Sequence, residues 1–125
     1  MGKVILIVED DLLNMKLFRD LLQMNGYATF EAKNGKQGIE MAREKQPDLI
    51  LMDIQMPVMD GLEATRILKS YPVTAGIPII ALTSAAMAGD REKTVQAGCD
   101  VFMSKPIDIH DFLEKVASEL HDRSE

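Results

Sequence analysis

One cysteine in 125 residues leaves nothing for a disulfide to pair with, and it has no metal-ligand spacing around it. That residue, Cys99, stands in Ala97-Gly98-Cys99-Asp100 just ahead of an apolar run; it fits a reducing compartment and reads as a buried thiol. A chain of this length needs no such staples, because a single domain of its size buries roughly 65 to 70% of the surface its unfolded form exposes. Long apolar runs are missing too, and none approaches the roughly 20 residues of a membrane span. The amino terminus lacks the layout of a signal peptide, and Leu6 stands where a myristoylation signal after Gly2 would need Ser or Thr. Positive charge is short: 14 Lys and Arg face 20 Asp and Glu, for a formal net charge of −6. With no basic cluster to offset that balance, direct nucleic-acid binding is not expected. The expectation is a soluble, cytoplasmic protein with no membrane partner.

What the chain does have is a rhythm. Strand candidates at Val4 to Val8, Ala28 to Ala32, Leu49 to Met52, Ile79 to Thr83 and Val101 to Ser104, all but the second apolar runs, alternate with helix-like stretches, without a linker or low-complexity segment. Runs of this kind read as parallel strands buried on both faces, so the chain reads as one doubly wound α/β domain spanning 1–125. In the first helix Leu13, Leu17, Leu21 and Met24 form a stripe that Phe18 and Leu22 widen; Asp11 is placed to cap it and Asn25-Gly26 to end it. The second helix runs from Gly35 to Glu44. In the last, Ile109, Phe112, Leu113, Val116 and Leu120 predict one face packed on the sheet, with Asp108 as its cap. Met56-Pro57-Val58-Met59-Asp60-Gly61 reads as a turn in which Pro57 fixes φ and Gly61 supplies backbone freedom. Ser84 to Asp90 is small and weakly structured by composition, a segment suited to shifting between two arrangements.

Four of the apolar runs stop at different reactive groups: Glu9-Asp10-Asp11, Asp53, Thr83 and Lys105. Open α/β sheets bind ligands beyond the carboxyl ends of their strands, so these groups would share one crevice. Glu9, Asp10 and Asp53 supply the oxygen donors that Mg²⁺ favours, and crowding them raises a pKa or recruits a cation. With a metal in place, Asp53 could attack a phosphoryl group while Lys105 and the Thr83 hydroxyl hold its other oxygens. The resulting acyl phosphate adds roughly −1.5 to −2 charge, enough to pull on Thr83 and the segment after it. A cis bond at Lys105-Pro106 is plausible as the turn that aims the amine.

Val8-Glu9-Asp10, Leu51-Met52-Asp53-Ile54-Gln55-Met56-Pro57 with Met59-Asp60-Gly61, Ala81-Leu82-Thr83-Ser84 and Ser104-Lys105-Pro106, in that order, resemble the receiver domain of two-component response regulators, the CheY-like family. The likeness covers essentially the whole chain. Glu9 to Phe18 looks most like the DivK type of single-domain regulator, and also like receivers fused to hybrid kinases. The resemblance implies a (βα)5 flavodoxin-like fold with strand order 2-1-3-4-5. It implies that Asp53 takes a phosphoryl group from the phosphohistidine of a sensor histidine kinase or a histidine phosphotransfer protein. Asp10, Asp53 and the Gln55 carbonyl would bind Mg²⁺ directly, with Mn²⁺ as a substitute, and Glu9 through a water. Thr83 and Lys105 would contact the phosphoryl group, Thr83 and Phe102 would switch, and Pro57, Gly61 and Pro106 would be structural. Phe102 lacks the hydroxyl of the tyrosine many relatives carry there. Nothing follows residue 125, so output is expected by contact with a downstream protein, as monomer or phosphorylation-dependent dimer, through the face of the helix after strand four, the last strand and the last helix.

Competing readings exist for each residue. A lone Asp53 would simply cap a turn, a threonine usually satisfies local backbone, and a lysine is usually surface charge, so Thr83 and Lys105 depend on the constellation. Asp11 is assigned to the helix cap and not to the site. His110 and His121 read as ordinary surface residues, the methionines as filler, and Met56, Met59 and Met87 as adaptable contact surface beside the crevice. An aspartate-nucleophile phosphatase of the haloacid dehalogenase type would share much of this chemistry, but it needs a second Asp where this chain has Gln55, and a nucleophile after the first strand. An unphosphorylated interaction module would be expected to lack Asp53 or Lys105. Beyond its own phosphorylation and dephosphorylation no enzymatic activity is expected. Gln55 and Ala85 flank the path of attacking water, and Ala85 has no polar group to orient it, which predicts slow self-dephosphorylation.

Overall fold

The computed structural model describes residues 2–56, 59–83 and 88–123, the side chains of 88–90 and 121–123 excepted. Pro57, Val58 and Ser84 to Met87, named above, lie outside the described residues, as does the side chain of His121; Ala88 to Asp90, expected in a weakly structured segment, open a helix. The elements run β1 Val4–Val8, α1 Leu12–Met24, β2 Ala28–Ala32, α2 Gly35–Lys45, β3 Leu49–Asp53, α3 Gly61–Ser70, α4 Pro72–Ala75, β4 Ile79–Thr83, α5 Ala88–Ala97, β5 Val101–Ser104 and α6 Ile109–Arg123. The five strands form one parallel sheet in the order β2-β1-β3-β4-β5. The expected fold and strand order are therefore present.

Period-two alternation divides the strand residues between two cores. On one face Leu6, Val8, Ile50, Met52, Ile79 and Ala81 pack under Ile39 and Ala42 of α2 and Ala64 and Leu68 of α3. On the other Ile5, Ile7, Leu49, Leu51, Ile80 and Leu82 pack under Met15, Phe18 and Leu22 of α1 and Phe112, Val116 and Leu120 of α6. Phe18 and Phe112 meet across those two helices with ring centroids 5.6 Å apart. β3 is buried at every position, as befits the central strand. At the amino ends of the strands, carboxylates answer backbone donors: Val4 N–H donates to Asp48 at 2.8 Å and Ile79 N–H to Asp100 at 2.9 Å.

α1 begins where expected, with the Asp11 carboxylate accepting from the Leu13 and Asn14 N–H groups. Its buried face is only partly the expected one. Phe18 and Leu22 are buried and Leu21 packs at the edge of the core, but Leu13 is 80% and Met24 83% exposed, Leu17 is half-exposed, and Met15 completes the packed face instead. The cap and the short link from β1 fix the phase of the helix, which turns Leu13, Leu17 and Met24 toward water. Ile109, expected in the packed face of α6, is likewise exposed, because it sits in the first turn before the helix settles onto the sheet.

Three other expectations need correction. Gly61 has no left-handed φ; it is required because a Cβ there would collide with the Asp53 carbonyl and would lie 2.8 Å from Ile54 Cα. Met56 is buried in the core and Met59 packs against it, so neither is free contact surface. Cys99 is only half-buried, its Sγ 3.7 Å from the Thr65 hydroxyl, and burial still pushes the thiol pKa up.

Candidate functional site

The sheet delivers its polar groups to one edge. Glu9 follows β1 directly, and its N–H donates to the Ala32 carbonyl at 3.0 Å. Asp53 is the last residue of β3 and Thr83 the last of β4; Lys105 follows β5, with its N–H donating to the Thr83 carbonyl at 2.7 Å. The Lys105-Pro106 bond is cis.

Glu9 and Asp53 are 1% and 3% exposed, two acids that burial would ordinarily exclude. Lys105 lies between them, its Nζ 3.0 Å from Glu9 Oε1 and 3.5 Å from Asp53 Oδ2. The second oxygen of Glu9 accepts from Asp11 N–H at 3.1 Å, and Asp53 Oδ1 accepts from Gln55 N–H at 3.1 Å. Asp10 completes the group from the exposed side, and Glu9, Asp10 and Asp53 each offer a carboxylate oxygen within 4.8 Å of the others. One ammonium cannot balance this crowding. The Asp53 pKa is pushed up to about 7, first by burial and then by Glu9, while Lys105 and the Gln55 N–H pull the other way. Three hard oxygen donors, open to solvent at Asp10, fit a Mg²⁺ ion that keeps some of its waters.

Among the sequence-predicted residues, Glu9, Asp10, Asp53, Gln55 and Lys105 line one cleft of about 250 Å³. Thr83 is buried at the neighbouring strand end, paired in register with Ser104. Phe102 is half-buried and faces a different cavity, shared with Val95, Cys99 and Lys115 between α5, β5 and α6. Gly61 sits against the Asp53 backbone and donates its N–H to the Ile54 carbonyl at 2.9 Å. Pro106 is exposed. Asp11, assigned to the helix cap alone, also lines the cleft, and sequence reasoning missed Asn14, which lines it too; its only signal was a polar residue in the first turn of α1.

Buried acids on a parallel sheet of this order define a receiver of phosphorelay type, and comparison with known proteins agrees. The chain belongs to the response regulator receiver domain family, whose model matches residues 5–117. It is a receiver of two-component signalling similar to single-domain regulators of the DivK type. The polar-differentiation response regulator DivK of Brucella anthropi is 50% identical over 122 residues, covering 98% of this chain and 99% of that protein. The DivK of Brucella ovis is 49% identical over the same length and coverage. Among solved structures, the receiver domain of a sensor histidine kinase from Pseudomonas aeruginosa PAO1, with a magnesium ion coordinated in its active-site cleft, is 34% identical. It superposes with a TM-score of 0.90 over 97% of this chain and 99% of that one. No helix among the described residues is long and apolar enough to cross a membrane.

Proposed function

We propose that residues 1–125 form one receiver domain that accepts a phosphoryl group from a phosphohistidine onto Asp53 and signals by protein contact in the cytoplasm. The observation that carries this reading is the placement of Asp53 at the carboxyl end of β3, 3.5 Å from Lys105 and within a cluster of three carboxylates. Glu9, Asp10 and Asp53, with the Gln55 carbonyl, would hold Mg²⁺, for which Mn²⁺ can substitute. Bound there, the ion would neutralise charge on the incoming phosphoryl oxygens.

The deprotonated Asp53 carboxylate is the nucleophile. Lys105, held between Glu9 and Asp53, is placed to pair with a phosphoryl oxygen once Asp53 is phosphorylated, and the Thr83 hydroxyl to donate to another. Thr83 and Phe102 are assigned the switch, and Pro57, Gly61 and Pro106 the shaping of the loops; the close approach of Gly61 to Asp53 supports its part. The chemistry is confined to the protein's own phosphorylation and dephosphorylation. A histidine kinase or a histidine phosphotransfer protein is the donor, and a protein target is the receiver of the signal.

Intact-mass measurement after incubation with acetyl phosphate tests this. A single phosphoryl adduct that needs Mg²⁺ and is absent from Asp53→Asn is expected. No adduct under any condition would leave a receiver-shaped binding module.

A further inference from the structure

α2 is pressed against both chain segments that carry the acids, and at each contact it presents a glycine. A Cβ on Gly38 would lie 2.8 Å from Val8 Cγ2, in the residue before Glu9. A Cβ on Gly35 would lie 2.9 Å from the Met59 carbonyl oxygen and 3.1 Å from Met59 Cγ, in the loop that follows Asp53. The helix is held firmly at that second contact. The Asn34 side chain accepts from Gln37 N–H at 2.9 Å and the Gln37 side chain from Lys33 N–H at 3.0 Å, which fixes the first turn. Ile39 and Ala42 keep its inner face in the core. The loop has as little slack. Gly61 N–H donates to the Ile54 carbonyl at 2.9 Å and returns the chain on itself, while buried Met56 and half-buried Met59 pin it to the core that α2 covers. Gln55 stands between Ile54 and Met56, each 8% exposed, and its N–H donates to Asp53 Oδ1 at 3.1 Å.

Resting on the reading of Glu9, Asp10, Asp53 and the Gln55 carbonyl as a Mg²⁺ site, we propose that Gly35 and Met59 are positioning residues that set the cation selectivity of that site. The missing side chain at Gly35 lets the loop seat Met59 directly on α2, and the depth of that seat places the Gln55 carbonyl relative to the carboxylates. A methyl group at Gly35 cannot be absorbed by the helix, which Gly38 and Ile39 already hold against β1 and the core, so the loop moves instead. Close-packed interiors pass such displacements on. The two hard cations respond differently. Mg²⁺ demands near-ideal octahedral geometry with oxygens at about 2.0 to 2.1 Å, whereas Ca²⁺ accepts about six to eight oxygens at about 2.3 to 2.6 Å in flexible arrangements. A carbonyl displaced by a fraction of an ångström is a poor ligand for the first ion and a serviceable one for the second. Contact of α2 with the loop therefore favours the smaller ion.

Amide chemical shifts of the ¹⁵N-labelled protein, titrated with MgCl₂ and separately with CaCl₂, give the two dissociation constants and their ratio. Gly35→Ala is expected to weaken Mg²⁺ binding about tenfold, a usual cost of disturbing the residues behind a metal ligand, and Ca²⁺ binding by less, so that the preference for Mg²⁺ falls. Met59→Ala withdraws the side chain from the seat and leaves Gly35 as it is; it is expected to lower the same preference, and it decides the matter should Gly35→Ala fail to fold. Ile39→Ala loosens α2 from the core without adding or removing an atom at the seat, and is expected to lower stability to urea while leaving the preference unchanged. An unchanged preference in Gly35→Ala or in Met59→Ala, or an equal fall in Ile39→Ala, overturns the proposal. A wild-type protein that binds neither cation overturns the reading of the acids as a metal centre instead.

Discussion

A carboxylate with almost no solvent, beside a second buried acid, is costly to ionise, and Asp53 carries that cost in its pKa of about 7. The sign is the reverse of the usual acid. Because the folded value lies above the unfolded one, the folded state holds the extra proton between about pH 4 and about pH 7, and the stability tied to that proton falls as pH rises through this window. In metal-free buffer Asp53→Asn, which is neutral at every pH, should therefore stabilise the fold, and the gain should grow by about 2 kcal/mol between about pH 5 and about pH 7.5. Urea denaturation in EDTA at the two pH values checks this; a gain equal at both would mean that burial does not set the Asp53 pKa. The residues of this site were legible in the sequence because each closes an apolar run, so a one-dimensional stop signal marks a three-dimensional edge. Asn14 closes nothing. A polar residue within a helix carries no mark of what it faces, and only the cleft beside it singles it out.

Among the elements, α1 separates composition from packing. Spacing alone puts Leu13, Leu17 and Met24 in the packed face, but these are exposed, and the buried contact is made by Met15, Phe18 and Leu22 with Leu21 at its edge. Phe18→Ala should cost about 3 to 5 kcal/mol, since it removes a fully packed ring and its contact with Phe112. Leu13→Ser should fall within about 0.5 kcal/mol of wild type. Urea denaturation of both variants decides the matter, and comparable losses would restore the stripe read from the sequence. Strands β1, β3 and β4 were legible almost to the residue because two-sided burial writes itself as a continuous apolar run, which no phase error can displace. A helix shows its face only through phase, and phase is set by the cap and by the link to the preceding strand. The single turn of α4 is too short for any period, though Tyr71-Pro72, with proline in its first turn, is the signal that could have found it.

The whole molecule couples site to stability because the acids come from two adjacent central strands. Glu9 and Asp10 follow β1, Asp53 ends β3, and the two strands are paired through Val8 and Met52 just below them. Any unfolding that separates β1 from β3 also takes the three carboxylates apart, so a cation bound among them would raise the stability of the entire domain. At a Mg²⁺ concentration of 100 times its Kd the increase is about 2.7 kcal/mol, or roughly 8 to 15 °C in Tm for a domain of this size. Asp10 discriminates this linkage from general screening of a chain with net charge −6. It is exposed and makes none of the ion pairs that hold Glu9 and Asp53, so Asp10→Asn should leave the metal-free Tm close to wild type while removing most of the Mg²⁺-induced rise. Calorimetry with MgCl₂ and with NaCl of matched ionic strength makes the comparison. An equal rise in wild type and Asp10→Asn, or an equal effect of the two salts, would place the cation on the acidic surface at large, and the cluster of Glu9, Asp10 and Asp53 would lose its claim to be a metal centre.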